Sequence, residues 1–197
     1  MNSDITGNSL IGDLDHLADQ FLIAMPRMGD SRFEKSVTYL CEHNDEGALG
    51  IVINRPLGVS LGEVLNHMSI ETTIDDLKVI DVFMGGPVET QRGFVLHKPG
   101  GNWDSGLELS GELQVTTSRD ILEAIAIGKG PKQFLIALGY AGWGAGQLEA
   151  EMADNAWLNV KSDTDIVFST PTENRWQSAA DLIGVDLSRM STETGHA

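Results

Sequence analysis

The stretch that decides the fold is residues 36–56, SVTYLCEHNDEGALGIVINRP. Alternate residues from Val37 to His43 point to one face, as in a strand whose side chains repeat with a period of two. A polar turn at 44–47 follows and ends in glycine, which tolerates a left-handed backbone. Residues 48–53 carry no polar side chain, which indicates a strand covered on both faces. The stretch therefore predicts a β-hairpin whose second strand lies deep in a sheet.

Predicted strands and helices surround this hairpin without strict alternation. The remaining strands are predicted at 21–25, 79–84, 93–97, 113–117, 133–138, 157–161 and 165–169. One helix begins at Ser60, where Ser60 and Glu63 have the spacing of a capping box, and others follow Thr117, Gln147 and Thr170. The sequence thus predicts an α+β fold: a mixed, largely antiparallel sheet, with a barrel-like form as one option, and three to four packed helices.

The domain organisation follows from length and composition. A chain of 197 residues fits one domain with a substantial core. We predict an N-terminal tail or short helix in residues 1–20 around Leu14 and Leu17, a single α+β domain in 21–189, and a disordered C-terminal tail in 190–197.

Charge and apolar content exclude several classes of protein. The formal net charge of −16 disfavours direct binding of nucleic acid, which needs lysines and arginines to neutralise phosphates. No apolar run approaches the roughly 18 residues that span a bilayer. The acidic N-terminus is unlike a secretory signal, and a single cysteine suits a reducing compartment. We therefore expect a soluble cytoplasmic protein without a membrane partner.

Several segments together resemble one family. They are FLIAMPRMGDSRFEKSVTYLCEHNDEGALGIVINRPLG at 21–58, GGPV at 85–88, RGFVLH at 92–97, TTSRDILEAIAIGKGP at 116–131, GYAGWGAGQLEAEM at 139–152 and NAWL at 155–158. On these segments the chain resembles the AlgH/YqgE family of bacterial proteins. The resemblance implies a cytosolic α+β protein without an established biochemical activity, and it supplies no catalytic residues. The family name is associated with regulation of alginate synthesis, which implies a role as a transcriptional regulator.

Eight residues are candidates for ligand binding: Asn54, Arg55, Gly85, Gly86, Arg92, His97, Tyr140 and Trp143. Arg55 lies where the buried strand leaves the sheet, and its guanidinium could bind a carboxylate or phosphate. The alternative is that Arg55 pairs with an acidic neighbour or binds backbone carbonyls and so fixes the loop. The excess of 29 acidic over 13 basic residues favours this alternative.

Three further patterns suggest chemistry, and each has a simpler structural explanation. The glycines from Gly139 to Gly146 could bind an anion through backbone N–H groups, but more simply they allow a tight turn while Tyr140 and Trp143 pack. Residues 58–62 match the GxSxG string of serine hydrolases, although Ser60 already serves as a helix cap. Side chains two apart on one strand face, as for Cys41 and His43, stand about 6.5–7 Å apart and favour a structural cysteine.

The sequence favours a non-catalytic protein that acts through an unknown protein or small-molecule partner, with a regulatory role suggested by the resemblance alone. No enzyme activity, cofactor or metal is predicted. One alternative is an enzyme or anion-binding module that uses a cleft lined by Arg55, Arg92, His97, Tyr140 and Trp143. A second alternative, a transcriptional regulator that binds DNA directly, is disfavoured by the net charge.

Overall fold

The computed structural model describes residues 17–107, 109 and 111–190. The strands in this part of the chain are β1 Gln20–Ala24, β2 Val37–Asn44, β3 Gly47–Val52, β4 Pro56–Ser60, β5 Asp81–Met84, β6 Val88–His97, β7 Gly106–Leu107, β8 Gln114–Thr116, β9 Phe134–Gly144 and β10 Trp157–Lys161. The helices are α1 Leu61–His67, α2 Asp75–Lys78, α3 Arg119–Ala126, α4 Gln147–Ala153, α5 Thr164–Phe168, α6 Arg175–Asp181 and α7 Leu187–Met190. Short 3-10 turns lie at Ser31–Phe33 and Thr172–Asn174.

The described strands form one sheet in the order β10-β1-β2-β3-β9-β6-β8-β7. Strand β5 pairs with β9 in parallel, and β4 pairs with β5. The other described pairs are antiparallel. Four of the described helices, α1, α3, α4 and α6, have seven or eight residues. The predicted α+β fold with a mixed, largely antiparallel sheet is therefore confirmed.

Strand β9 joins the two halves of this sheet. Its first half pairs with β5 and β6, and its second half pairs with β3 and, at Tyr140, with Val88 of β6. Gly139 lies between these halves with a φ of 75°, and a Cβ there would stand 2.5 Å from the carbonyl oxygen of Gly86. A residue with a side chain would fit neither the dihedral nor the space. The prediction that the strand ends at Leu138 and that a glycine turn follows is wrong, because the strand continues through the bend to Gly144.

The central hairpin is confirmed. Strands β2 and β3 pair in antiparallel register from Thr38–Val52 to Asn44–Gly47, with a register shift between Leu40 and Glu42. Val52 is 2% exposed and Ile53 is fully buried. The later half of the apolar second arm, from Gly50 to Ile53, therefore lies inside the molecule, whereas Ala48 and Leu49 near the turn are partly exposed.

Three apolar clusters hold the helices against the sheet. The first includes Ile166 of α5 and Ala179 of α6, the second includes Leu65 of α1 and Ile121 of α3, and the third includes Leu148 of α4. Strand β9 contributes side chains to all three clusters. The helices of the second cluster, α1 and α3, lie over the half of the sheet where β9 pairs with β5 and β6.

Two local predictions near the C-terminus are wrong. Residues 165–169 were expected to form a strand, but α5 forms because the Asp163 side chain accepts a hydrogen bond from the Asp165 N–H and caps the helix. The last long helix was expected to begin with Thr170 as its cap. Instead the Thr170 hydroxyl donates to the Asp165 carbonyl, and a 3-10 turn precedes α6.

The predicted tails fall largely outside the described residues. Leu14 and residues 191–197 lie outside them, whereas Leu17 is buried in the third cluster. Among the helices that the structure describes, none has both the length and the apolar character needed to cross a membrane.

Candidate functional site

Asn54 and Arg55 hold the loop that precedes β2. The Asn54 amide donates to the Lys35 carbonyl and accepts from the Val37 N–H, both at 2.8 Å. The Arg55 guanidinium donates to the carbonyl of Arg32 and, at 3.1 Å, to that of Glu34. The expectation that Arg55 binds backbone carbonyls and fixes this loop is confirmed.

Gly85 and Gly86 lie where the chain passes close to β9. A Cβ on Gly85 would stand 2.2 Å from the Gly139 carbonyl oxygen, and a Cβ on Gly86 would stand 2.0 Å from the Tyr140 carbonyl carbon. Gly85 also donates to the Leu138 carbonyl and accepts from the Val52 N–H, each at 2.8 Å. These glycines allow three strands to meet at one point.

Tyr140 and Trp143 lie together, and Arg92 lines a different depression. The exposed Arg92 pairs with Glu89 at 3.0 Å and lies over the Phe94 ring. Tyr140 packs edge-on against Phe94, and the buried Trp143 donates from its indole to Glu151. Tyr140 and Trp143 share one shallow depression with the hairpin turn, whereas Arg92 lines a separate one. Ligand binding at the eight candidate residues stays a prediction, and the structure does not bring them into one described cleft.

Cys41 and His43 belong to different surroundings. Cys41 packs in the first cluster, and burial raises the pKa of its thiol. The His43 ring accepts from the Leu17 N–H at Nδ1, so in the neutral ring Nε2 carries the proton and donates to Glu149 at 2.7 Å. Among the described residues, no group of three or more His, Cys, Asp and Glu side chains is arranged to hold a metal.

The GxSxG string at 58–62 forms a helix cap. The Ser60 hydroxyl accepts from the Glu63 N–H, and the Glu63 carboxylate accepts from the Ser60 N–H at 2.8 Å. This reciprocal capping box confirms the structural explanation of the motif.

Strands β4, β6, β8 and β9 and helices α1 and α3 build a groove between the two helices, with a volume of about 870 Å³. We call it the α1–α3 groove. Its apolar lining consists of Val59, Val64, Met68, Gly93, Val95, Leu122, Ile136 and Leu138. Its polar lining consists of Glu63, His67, Thr90, Gln91, Thr116, Thr117, Ser118 and Arg119. A concave site of this size, mostly apolar with a few polar groups, is typical of small-molecule binding.

A bulge in β6 forms one wall of the groove. Val88 pairs with Tyr140 and Gly93 pairs with Leu138, so the intervening residues of β6 are extra to the ladder. Glu89 adopts a φ of 46°, which is uncommon for a residue with a side chain. The bulge places Thr90 and Gln91 in the groove lining. Bulges and residues of strained backbone cluster at functional sites, which makes this wall a candidate for binding.

A buried histidine fixes the hydrogen-bonding direction of one groove residue. His97 is fully buried, and its Nδ1 lies 2.8 Å from the Lys98 carbonyl oxygen, which can only accept. Burial lowers the pKa of His97, so the neutral ring donates from Nδ1 and accepts at Nε2. The Thr116 hydroxyl, 2.9 Å from Nε2, must therefore donate to it. Thr116 belongs to the groove lining although it is only 2% exposed, and its hydroxyl oxygen is left with acceptor capacity alone.

The start of α3 adds a second acceptor of this kind. The Ser118 hydroxyl donates its proton to Asp120, and its oxygen accepts from the Ser105 N–H. The Asp120 carboxylate also accepts from the N–H groups of Asp104 and Ile121, each at 2.9 Å. This side chain already supplies negative charge to the N-terminus of α3, so a bound anion is not needed there.

Comparison with known proteins gives the family. The family described as DUF179: AlgH-like matches residues 21–188. The chain belongs to this AlgH-like family. A UPF0301 protein from Thioalkalivibrio sulfidiphilus is 58% identical over 182 residues, which cover 92% of this chain and 97% of that protein. A UPF0301 protein from Nitrosococcus oceani is 52% identical over the same share of each chain.

Two solved structures share the fold of this chain. The solution structure of the AlgH protein from Pseudomonas aeruginosa matches with a TM-score of 0.77 and 49% identity over 100% of both chains. The crystal structure of DIP2367 from Corynebacterium diphtheriae has a TM-score of 0.70 at 19% identity and covers 90% of this chain and 93% of that one. The second match supports the fold alone.

Sequence reasoning missed the groove in this AlgH-like chain because its lining comes from separate elements. The capping box of α1 and a helix start at Thr117 are visible in the sequence, although the N-cap of α3 lies one residue later, at Ser118. Nothing in the sequence places these two helices on either side of one groove. Reasoning also missed Arg175, which is 7% exposed and donates to the carbonyls of Ile53 and Thr170. It lies beside the Asn54–Arg55 segment and packs on the Phe83 ring.

Proposed function

We propose that this AlgH-like protein is a non-catalytic cytosolic binding protein whose α1–α3 groove takes a small amphipathic ligand. The observation that carries this proposal is the groove itself, with its apolar floor on β6 and β9 and its polar rim. Burial of an apolar ligand body against this floor supplies the favourable free energy, and the rim groups orient the polar end.

The chemistry of the groove favours binding over catalysis. The 2.9 Å separation of the Thr116 hydroxyl and His97 resembles a nucleophile and its base. However, burial lowers the pKa of His97, and a backbone carbonyl, not a carboxylate, orients its ring. A carbonyl stabilises a developing imidazolium less than a carboxylate does. The pair is therefore better suited to hold a hydroxyl in one orientation than to activate it.

Any regulatory role would follow from occupancy of the groove. The net charge of −16 disfavours contact with nucleic acid, so a regulatory signal would pass through a small-molecule or protein partner. Helices α1 and α3 flank the groove, and a ligand between them would stabilise one arrangement of both.

A pair of glycine substitutions tests the proposal. A Cβ at Gly93 meets no atom within 4 Å, and Gly93 lines the groove, so Gly93→Leu should fill it without disturbing the sheet. Gly144 offers the same open space on β9 outside the groove, which makes Gly144→Leu the matched control. We expect a library of small amphipathic compounds, screened by protein-observed NMR, to shift the amide resonances of groove residues in the native protein and in Gly144→Leu. Gly93→Leu should lose these shifts, and equal binding by both variants would contradict the proposal.

A further inference from the structure

We propose that the ligand of the α1–α3 groove is a small organic amine with an apolar body, bound as its ammonium ion. This inference rests on the proposed function and names the chemical class that the groove selects. An ammonium group carries three hydrogen-bond donors and no acceptor. The groove that receives it should therefore present acceptors and negative charge beside an apolar floor.

The hydrogen bonds beneath the groove supply the acceptors. Thr116 donates its proton to His97, and Ser118 donates its proton to Asp120. Each hydroxyl has one proton, so the two oxygens can only accept hydrogen bonds from a ligand. These two oxygens suit a donor-rich head group and disfavour a carboxylate or phosphate beside them, because lone pairs would face lone pairs.

The charged groups of the groove lining also favour a cationic ligand. Glu63 lies in the lining, and hydrogen bonds from the Ser60 backbone and hydroxyl lower the pKa of its carboxyl. Arg119, the opposing cation of the lining, is paired with Glu123 at 2.7 Å. His67 at the rim is the remaining group of the lining that could carry a positive charge. The net charge of −16 adds a field that attracts cations to the whole molecule and repels anions.

The floor of the groove selects the other end of the ligand. Val95, Ile136 and Leu138 come from the two paired central strands β6 and β9, and Val64 and Leu122 come from the flanking helices. Each methylene buried against such a surface contributes favourable transfer free energy. An alkyl or aryl body with an ammonium head thus satisfies both the floor and the two acceptor oxygens.

Three probes of equal chain length test this inference: octylamine, octanol and octanoate, each titrated below its micelle concentration and followed by the amide resonances of residues 116–119. We expect octylamine to bind about tenfold more tightly than octanoate, with octanol between them, because one close charge pair at the surface changes affinity by about fivefold or more. If octanoate binds as tightly as octylamine, or more tightly, the amine assignment is overturned while the groove remains a binding site. If no probe shifts these resonances, both proposals fail.

Substitutions at Glu63 and at Thr116, with Glu46→Gln as the control, separate charge from hydrogen bonding. Glu63→Gln keeps a side chain that can complete the capping box, and it should weaken octylamine about fivefold while leaving octanol unchanged. Glu46→Gln in the hairpin turn makes the same change in net charge away from the groove and should leave octylamine affinity unchanged. Thr116→Val should weaken octylamine, and Thr116→Ser should restore its affinity. Equal octylamine affinity in Glu63→Gln and the native protein would overturn the assigned role of the carboxylate and with it the amine class.

Discussion

The strand exit at Asn54–Arg55 stands out in the sequence as a candidate binding site, whereas the α1–α3 groove is recognisable only in the structure. The first has a polar motif at a place where ligands often bind, yet its side chains are occupied by backbone groups of the 32–37 loop. The second has no recognisable motif, yet it forms a concave apolar surface with a polar rim. The comparison teaches that a suggestive side chain becomes available to a ligand only if the fold leaves its hydrogen-bonding groups free.

Near the strand exit, the backbone at Gly86 lies in close contact with β9. A substitution at Gly86 therefore has the largest expected effect on stability. Gly86→Ala would place a Cβ 2.0 Å from the Tyr140 backbone, and a contact this short requires the strands to move. We expect a loss of more than about 4 kcal/mol of unfolding free energy, or failure to fold. Denaturant unfolding with circular dichroism measures this change.

Gly93→Ala is the control, because its Cβ meets open space in the groove, and it should change stability by less than about 1 kcal/mol. Similar stabilities for the two variants would show that the strands do not pack as closely as described.

Arg55 has the next largest expected effect. Arg55→Met removes two charge-assisted hydrogen bonds to the loop carbonyls and should destabilise the fold by about 2 kcal/mol, without changing ligand affinity at the groove. Thermal and denaturant unfolding provide the measurement. Arg92→Met removes a surface ion pair with Glu89 and should cost less than about 1 kcal/mol. If Arg55→Met were as stable as the native protein but lost binding of an anion, Arg55 would be a ligand-binding residue after all.

The smallest expected effect concerns the pH dependence of stability, and it comes from His97, which lies beneath the groove. Burial lowers the pKa of His97 in the folded protein below its ordinary value of 6.5. The unfolded chain therefore binds more protons at mildly acidic pH, so His97 makes stability fall as the pH decreases below about 6.5. Its contribution to this slope is at most about 1.4 kcal/mol per pH unit. His97→Asn should show a shallower loss of stability between about pH 6.5 and 5, as measured by urea unfolding, and an unchanged slope would contradict the buried neutral ring.

Local signals in the sequence predicted local structure well. The hairpin at 36–56 and the Ser60–Glu63 cap rest on neighbouring residues, and the structure contains both. The strand expected at 165–169 failed because the short apolar run at 166–168 fits either a strand or a short buried helix, and the Asp163 cap decides between them. The glycine run after Leu138 failed for a similar reason, since glycine permits both a turn and a bent strand.

Non-local geometry limited the prediction of the site. The groove lining combines β4, α1, the bulge of β6, the β8–α3 junction and β9. The role of Thr116 depends on the proton of His97, which in turn depends on the Lys98 carbonyl. No spacing between residues in the sequence carries this information, because it arises only when β6 pairs with β8.

The most direct test of the comparison is an amide chemical-shift map of the native protein titrated with small amphipathic compounds. If the α1–α3 groove is the binding site, saturable shifts are expected at Gly93 and at residues 116–119, with the resonances of residues 54 and 55 unchanged. Saturable shifts confined to residues 54 and 55, with the groove resonances unchanged, would contradict this expectation.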